Sequence, residues 1–262
     1  MKLNRRKFLL QGAVLTPGLI GLDAVAEPGW LSIQKHTLGK GPAVHRFVHF
    51  TDVHYKGDES NLSSLVAEIN RIKPDFALFT GDLIERARFA PRALELLSGL
   101  KMPLYGVPGN HDHWSRADFG QFHQAFAATG GAWMQDQELL LPNGIHLSAM
   151  DRLNYRPSTS SGSFRILMVH YPGWTDRIAP SALSSPFDLV LAGHTHGGQV
   201  RLPFYGALLT PFDSNGYEMG WYDTPAGRLY VNPGIGTIAL NLRFNCRPEL
   251  AVFEIGSDYQ RV

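Results

Sequence analysis

The stretch LVLAGHTHGGQV, residues 189 to 200, is an apolar run that ends abruptly in glycines and histidines. His194 and His196 are two positions apart, so on an extended chain both imidazoles point to the same side. The flanking glycines let the backbone turn tightly around the pair. This pattern suits neither a packed core nor an ordinary turn, which raises the question of whether other apolar runs end in the same way.

Four other apolar runs end in side chains that can bind metals. These side chains are Asp52 with His54, Asp82, Asn110 with His111 and Asp112, and His170. An aspartate after a strand is usually a helix cap, and a lone histidine is usually a packed or surface group. Five such ends are not explained by capping. In α/β proteins, molecules and ions bind outside the carboxyl ends of the strands. Carboxylate, amide and imidazole ligands without thiolate suit a divalent ion such as manganese, iron, nickel or zinc.

The first half of the chain alternates apolar runs with helical patterns. The runs HRFVHFTDVH (45–54), DFALFTGD (75–82) and MPLYGVPGNHD (102–112) are each followed by apolar residues at helical spacing. Ser60 or Asn61 is predicted to cap the first helix, and Ser115 the third. A strand followed by a helix, three times over, predicts parallel strands with right-handed crossovers.

The second half is richer in strand patterns joined by Gly, Pro and Asn turns. We therefore predict an α/β fold, a four-layer αββα sandwich of two mixed β-sheets flanked by helices. The metal site is predicted at the carboxyl-terminal ends of the strands.

Residues 1–26 have the layout of a secretory signal: a basic start, a moderately apolar stretch and small residues near the end. Arg5 and Arg6 resemble the twin-arginine signal, which exports folded proteins. Polar residues interrupt the apolar stretch, which makes it a poor permanent span. Export is favoured, with an uncleaved membrane anchor as the alternative.

The composition excludes several classes of protein. Twenty-four basic residues face 23 acidic ones, and this balance argues against a nucleic-acid partner. Cys246 is the single cysteine, so an intrachain disulfide is excluded. A hydrophobic content of 44% over 262 residues is enough for a sizeable core.

The chain resembles the calcineurin-like metallophosphoesterases, whose motif set it matches in order from the first of these runs to the glycine-rich turn. Within that family it is most similar to the YaeI-type bacterial phosphodiesterases. Three stretches carry this likeness: EPGW (27–30), GHTHGGQ (193–199) and NCRPE (245–249). The branch is related to the UDP-2,3-diacylglucosamine pyrophosphatase of lipid A biosynthesis. The resemblance implies one metallophosphoesterase domain over residues 27–262.

The family pattern implies a site for two divalent metal ions, with manganese favoured. Asp52, His54 and His196 would hold the first ion, and Asn110, His170 and His194 the second, with Asp82 bridging both. A metal-bound hydroxide would attack phosphorus in line with the leaving oxygen. His111 would protonate that oxygen, and Asp112 would fix the His111 tautomer, although a helix cap or a salt-bridge partner is the alternative for Asp112.

The expected activity is hydrolysis of a phosphodiester by a metal-dependent enzyme. The substrate would be a small-molecule or lipid-linked phosphoester. The twin-arginine machinery would be the partner in export, and the protein would be located in the periplasm or at the inner membrane. The alternative is UDP-2,3-diacylglucosamine pyrophosphatase activity, which requires residues 1–26 to anchor the chain facing the cytoplasm. A non-catalytic scaffold is the third reading, and the filled ligand positions weigh against it.

The remaining histidines and four loop arginines have weaker support. His49 is predicted to pack in the core and His123 to face solvent, while His113 could lie beside the site. His36, His45 and His146 carry no motif. Four arginines could clamp a substrate phosphate or simply be solvated, namely Arg86, Arg88, Arg152 and Arg156.

Overall fold

A computed structural model of the chain describes residues 24–157, 164–178 and 186–259. Most of the predicted export signal, residues 1–23, lies outside these ranges. The strands are β1 (Ser32–Leu38), β2 (Ala43–Phe50), β3 (Phe76–Phe79), β4 (Leu104–Gly106), β5 (Ala132–Trp133), β6 (Gln137–Leu140), β7 (Ile145–Met150), β8 (Phe164–Val169), β9 (Phe187–Ala192), β10 (Arg201–Leu202), β11 (Gly206–Ala207), β12 (Gly220–Thr224), β13 (Gly227–Val231) and β14 (Glu249–Gly256). The α-helices are α1 (Glu59–Ile72), α2 (Ala90–Leu97), α3 (Asn110–Trp114) and α4 (Phe119–Ala128).

Two six-stranded sheets form the body of the protein. The first has the order β1-β14-β2-β3-β4-β5, and its strands β2 to β5 are parallel neighbours. The second has the order β12-β13-β9-β8-β7-β6, with antiparallel strands at both edges. Both sheets are therefore mixed, as predicted, and the three strand–helix units of the first half are confirmed.

The apolar side chains form three layers around these sheets. Between the sheets, the ring of Phe47 stacks between Phe76 and Phe253, with centroid distances of 5.2 and 5.0 Å. Helices α1, α2 and α4 cover the outer face of the first sheet. In the described ranges, the 3₁₀ segment Pro172–Arg177 and loop tyrosines pack on the outer face of the second sheet. The chain thus buries both faces of both sheets.

Two predicted helix caps were wrong. Helix α1 is capped by Asp58, whose Oδ1 accepts from the N–H of Ser60 at 3.0 Å. Helix α4 begins later than predicted and is capped by Asp118, while Ser115 ends α3. In both cases an aspartate upstream of the apolar pattern accepts the free N–H of the first turn.

Within the described part of the chain, none of the helices has the length and apolar character needed to cross a membrane.

Candidate metal centre

Five strand ends meet at one edge of the paired sheets. Strands β2, β3 and β4 of the first sheet end there beside β8 and β9 of the second. The loops that follow bring seven predicted ligands together, and none of them is more than 5% exposed. They are Asp52, His54, Asp82, Asn110, His170, His194 and His196. The side chains that are distant in sequence therefore share one buried site.

One cluster consists of Asp52, His54 and His196. The two Nε2 atoms of His54 and His196 lie 3.0 Å apart. Asp52 Oδ1 is 3.3 Å from His196 Nε2 and 3.8 Å from His54 Nε2. Three donor atoms from two loops, those after β2 and β9, thus converge on one point.

A second cluster consists of Asp82, His170 and His194. Nε2 of His170 lies 3.1 Å from Nδ1 of His194 and 3.0 Å from Oδ1 of Asn110. Asp82 Oδ2 is 3.4 Å from that nitrogen and 3.6 Å from Nε2 of His54 in the first cluster. Asp82 therefore lies between the two clusters.

The chemistry of these groups fits two cations. Ring nitrogens that point at each other from 3.0 Å repel unless a proton or a cation lies between them. Asp52 Oδ1 is buried and accepts no hydrogen bond from the described residues. A buried carboxylate oxygen without a partner is costly, and a cation at this point would satisfy it together with the imidazoles.

Burial and the neighbouring carboxylates act in opposite directions on the pKa values of the four histidines. Burial lowers the pKa of His54, but the nearby carboxylates of Asp52, Glu85 and Asp82 outweigh it and raise the value to about 9. Burial is likewise outweighed at His170, where the charge of Asp82 raises the pKa to about 9. Burial prevails at His194 and His196, whose pKa values fall to about 4. The carboxylates thus attract positive charge into this site, which bound cations would supply.

The spacing of the histidines had suggested an extended backbone at the site, but the backbone there is not extended. Five of the seven residues have left-handed φ values, at 52° for Asp52, 45° for His54, 61° for Asp82, 72° for His194 and 51° for His196. Such values are uncommon for residues other than glycine and cost free energy. The side chains therefore converge because the loops turn sharply at these five ligands, and His194 and His196 face different clusters.

Gly193 has a different role from the one predicted. Gly197 and Gly198 do adopt positive φ, at 59° and 79°. At Gly193 the close approach of another loop matters instead, because a Cβ there would lie 2.1 Å from Thr51 Oγ1 and 2.3 Å from Asp52 Oδ2. The position requires glycine for space.

Sequence reasoning missed Glu85. Its Oε1 lies 2.9 Å from Nδ1 of His54, and its Oε2 lies 3.2 Å from Nδ1 of His111. Despite partial burial, these two histidines hold the pKa of the carboxyl well below its usual range. A bridge between Tyr55 and Ile84 sets Glu85 beside His54, and that register is a long-range property that no local pattern reports.

The predicted contact between Asp112 and His111 is not what the structure shows. The buried Asp112 carboxylate accepts from the N–H groups of Asp82 at 2.8 Å, Leu83 at 2.9 Å and Gly109 at 3.0 Å. Burial and the charge of Asp82 raise its pKa to about 6. Asp112 thus holds the turns that carry Asp82 and Asn110, and Glu85 occupies the place beside the His111 ring.

The other histidines lie largely where expected. His49 is buried, with Nε2 2.8 Å from Thr80 Oγ1, and His123 is exposed. His113 Nε2 lies 2.7 Å from Asp151 Oδ1. The remaining three have other surroundings: His36 packs on the ring of Tyr230, His45 lies 3.9 Å from Asp75 Oδ2, and His146 lies 3.5 Å from Glu138 Oε2.

The four arginines divide into two pairs. Arg152 bonds to Asp136, and Arg156 donates to the carbonyl groups of Leu153 and Tyr155. Arg86 and Arg88 instead line a cavity of 380 Å³ that also includes Glu85. Only the second pair therefore shares a wall with the metal centre.

The sequence profile of the family described as Calcineurin-like phosphoesterase matches residues 45–198, which include every ligand position above. The metallophosphoesterase YkuE of Bacillus subtilis is 33% identical, over 98% of this chain and 99% of that protein. Phosphodiesterase YaeI of Escherichia coli is 26% identical, over 97% and 99% of the two chains. The crystal structure of a dimetal phosphatase from Danio rerio, 11% identical, superposes with a TM-score of 0.50 over 82% of this chain and 94% of that one.

Proposed function

Because this chain belongs to the calcineurin-like phosphoesterase family and is thus a metal-dependent hydrolase of phosphoesters, we propose that its substrates are phosphodiesters. The similarity to phosphodiesterase YaeI over nearly the whole chain supports this substrate class. The single observation that carries metal-dependent hydrolysis at this site is the placement of Asp82 between two clusters of buried ligands.

In this proposal Asp52, His54 and His196 hold one divalent ion, and Asn110, His170 and His194 hold another, with Asp82 shared between them. Manganese is the ion we propose among those that suit oxygen and nitrogen donors without thiolate, with iron, nickel and zinc as the others. When bound, the two ions would supply Lewis-acid activation of the phosphoryl group and of the attacking water. Hydrolysis then adds the water oxygen to phosphorus and breaks the bond to the leaving oxygen.

The leaving oxygen needs a proton, and His111 is the group we assign to that step. Glu85 lies against Nδ1 of its ring, so Nε2 is the nitrogen left to donate. The ring is one residue past Asn110, and its centroid is 4.6 Å from that of His54. A proton donor thus stands beside the predicted position of the phosphoryl group.

The test uses manganese-loaded protein with an aryl phosphodiester, with and without a chelator, beside an Asp82→Asn variant. We expect hydrolysis by the loaded protein that both the chelator and the substitution abolish. Measuring UMP release from UDP-2,3-diacylglucosamine in parallel separates the two substrate classes. UMP release without diester cleavage would replace the proposal by the pyrophosphatase reaction, and no turnover of either would favour a scaffold.

We also propose that the chain is exported folded, after its metals have been loaded. The support is the pair Arg5 and Arg6 ahead of an apolar stretch, within the residues that the structure does not describe. Replacing both arginines with lysine should retain the protein in the cytoplasm. Unchanged export of this variant would refute the proposal.

A further inference from the structure

Large exposed apolar side chains are concentrated around the metal centre. Segment 202–212, LPFYGALLTPF, exposes Phe204 fully, Leu209 by 82% and Tyr205 by 74%. Soluble proteins rarely concentrate large exposed apolar side chains in one region without a function. We call the following set the apolar rim: Trp114, Leu202, Phe204, Tyr205, Leu208, Leu209, Phe212 and Leu240.

The apolar rim borders the metal ligands directly. The carbonyl oxygen of Phe212 lies 2.8 Å from Nε2 of His194. The ring of Trp114 lies 5.2 Å from the ring of His111 and 6.2 Å from that of Phe212. Whatever covers the rim therefore also lies over the site of hydrolysis.

Leu240 joins the rim from another loop. Gln199, which follows the histidine turn, donates its side-chain N–H to the carbonyl oxygens of Ile238 and Leu240 at 3.2 Å. The described chain begins nearby, because the N–H of Arg243 donates to the carbonyl of Ala24 at 2.9 Å.

The shape of the rim favours a fluid partner. Strands β10 and β11 form a two-stranded hairpin whose tip carries Phe204 and Tyr205. These side chains project singly, and one that is fully exposed makes no groove for a protein to fill. Lipid can surround separate projecting side chains, and aromatic residues favour the interface between headgroups and hydrocarbon.

Positive charge lies beside Leu240. A cavity of 380 Å³ is lined by Lys56, Arg86 and Arg88, and by Ala239, which precedes Leu240. Its one acid, Glu85, is engaged with His54 and His111 and lies 3.8 Å from Lys56 Nζ, which leaves Arg86 and Arg88 as the cations not paired with it. Cations next to an apolar surface match the anionic phosphates of a lipid bilayer.

We propose that the apolar rim docks the protein on the surface of a bilayer containing anionic phospholipid, so that the metal centre receives phosphoesters carried by lipids. The substrate class in this inference rests on the proposed function, whereas the docking itself does not. It assigns the exposed segment 202–212 to membrane contact.

The test places an environment-sensitive fluorophore on a Leu209→Cys variant of the full chain. Leu140→Cys is the matched control, because Leu140 is also exposed and lies on β6 at the end of the second sheet remote from the ligands. Native Cys246 is buried, so labelling is selective. With vesicles of equal parts phosphatidylglycerol and phosphatidylethanolamine, we expect a blue shift at residue 209 and none at residue 140.

A Phe204→Ser, Leu209→Ser double variant should bind these vesicles about tenfold more weakly or worse, since two apolar anchors are lost. Thermal unfolding checks that this variant is folded. No shift at residue 209 on vesicles that do bind the protein would assign binding to another segment and overturn the docking. A shift caused by raising the protein concentration without lipid would assign the rim to self-association and overturn it too.

The Asp82→Asn variant separates the two proposals. It should bind vesicles like the wild type while hydrolysing nothing. Vesicle binding by a wild-type protein that cleaves no phosphodiester would refute the proposed function and leave the docking intact. Loss of binding in Asp82→Asn would mean that the centre itself contacts lipid, and the rim would no longer account for it.

Discussion

Glu85 places its carboxylate oxygen Oε2 3.2 Å from Nδ1 of His111. Its other oxygen is 2.9 Å from Nδ1 of His54, so one carboxylate orients both a predicted metal ligand and the predicted proton donor. Carboxylates that hold metal-binding imidazoles tune ligand basicity and fix the ring.

Replacing Glu85 by alanine should therefore weaken both functions. We expect metal affinity or activity to fall by about 10- to 100-fold, as for other carboxylates behind a metal ligand. The loss should be larger for alkyl leaving groups than for p-nitrophenol, which needs little help from an acid. Glu95→Ala, at an exposed glutamate paired with Arg92, is the control, and equal effects of both variants would contradict this role.

Substitutions at Asp112 and His111 should change different properties of the protein, namely stability for Asp112 and catalysis for His111. In Asp112→Asn an amide replaces a carboxylate that accepts from three backbone N–H groups, so unfolding free energy should fall by about 1–3 kcal/mol. His111→Asn should leave stability nearly unchanged and lower kcat by about 10²- to 10⁴-fold with poor leaving groups. Urea denaturation and steady-state kinetics on both variants measure this. A stable Asp112→Asn protein with altered leaving-group dependence would instead restore the orienting role.

Gly193→Ala tests how closely the loops pack behind Asp52. A methyl group would meet Thr51 Oγ1 at 2.1 Å and Asp52 Oδ2 at 2.3 Å, so it must displace the carboxylate. We expect a loss of about 1–3 kcal/mol in stability and fewer metal ions per chain in elemental analysis. Gly29→Ala is the control because a Cβ there meets nothing within 4 Å. Full metal content in Gly193→Ala would show that the loop can yield.

Glu249 makes stability depend on pH at a point away from the metal ligands. Burial raises its pKa from 4.5 to about 7, although the Tyr230 hydroxyl donates to it and Arg243 lies nearby. An acid with a raised native pKa stabilises the fold below its unfolded value, and this contribution is lost as pH rises through the native value. The fold should lose roughly 3 kcal/mol from this group between about pH 4.5 and pH 7.

Glu249→Gln removes this titration, so the difference in unfolding free energy between the wild type and the variant should change over that interval. Urea denaturation of both proteins at pH 5 and pH 7.5 measures the difference. A constant difference across the two conditions would mean that Glu249 has an ordinary pKa in the folded protein.

The strand ends could be predicted from the sequence because each ligand follows directly on an apolar run, and parallel strands bring such ends to one edge. Asp52, Asp82 and His170 were therefore identifiable without coordinates. Glu85 follows no strand, and only the pairing of residue 55 with residue 84 brings it to His54. The orienting role predicted for Asp112 was wrong for a similar reason, since two of its three partners are backbone N–H groups 29 and 30 positions away. The third partner, the N–H of Gly109 at the start of α3, bears out the helix-cap alternative. Local sequence patterns therefore identify the metal ligands. The groups that position those ligands depend on contacts between distant parts of the chain, which local patterns do not report.

The left-handed backbone at Asp52, His54, Asp82, His194 and His196 has a consequence for metal exchange. Each such residue costs roughly 1–3 kcal/mol, which the rest of the fold supplies during folding rather than the arriving ion. The loops that carry these ligands therefore hold their conformation by their own packing, which disposes the site to bind a cation with little reorganisation of the backbone. An enzyme built in this way would take up whichever suitable divalent ion is at hand when it folds, so its metal content would record the ions available at that moment.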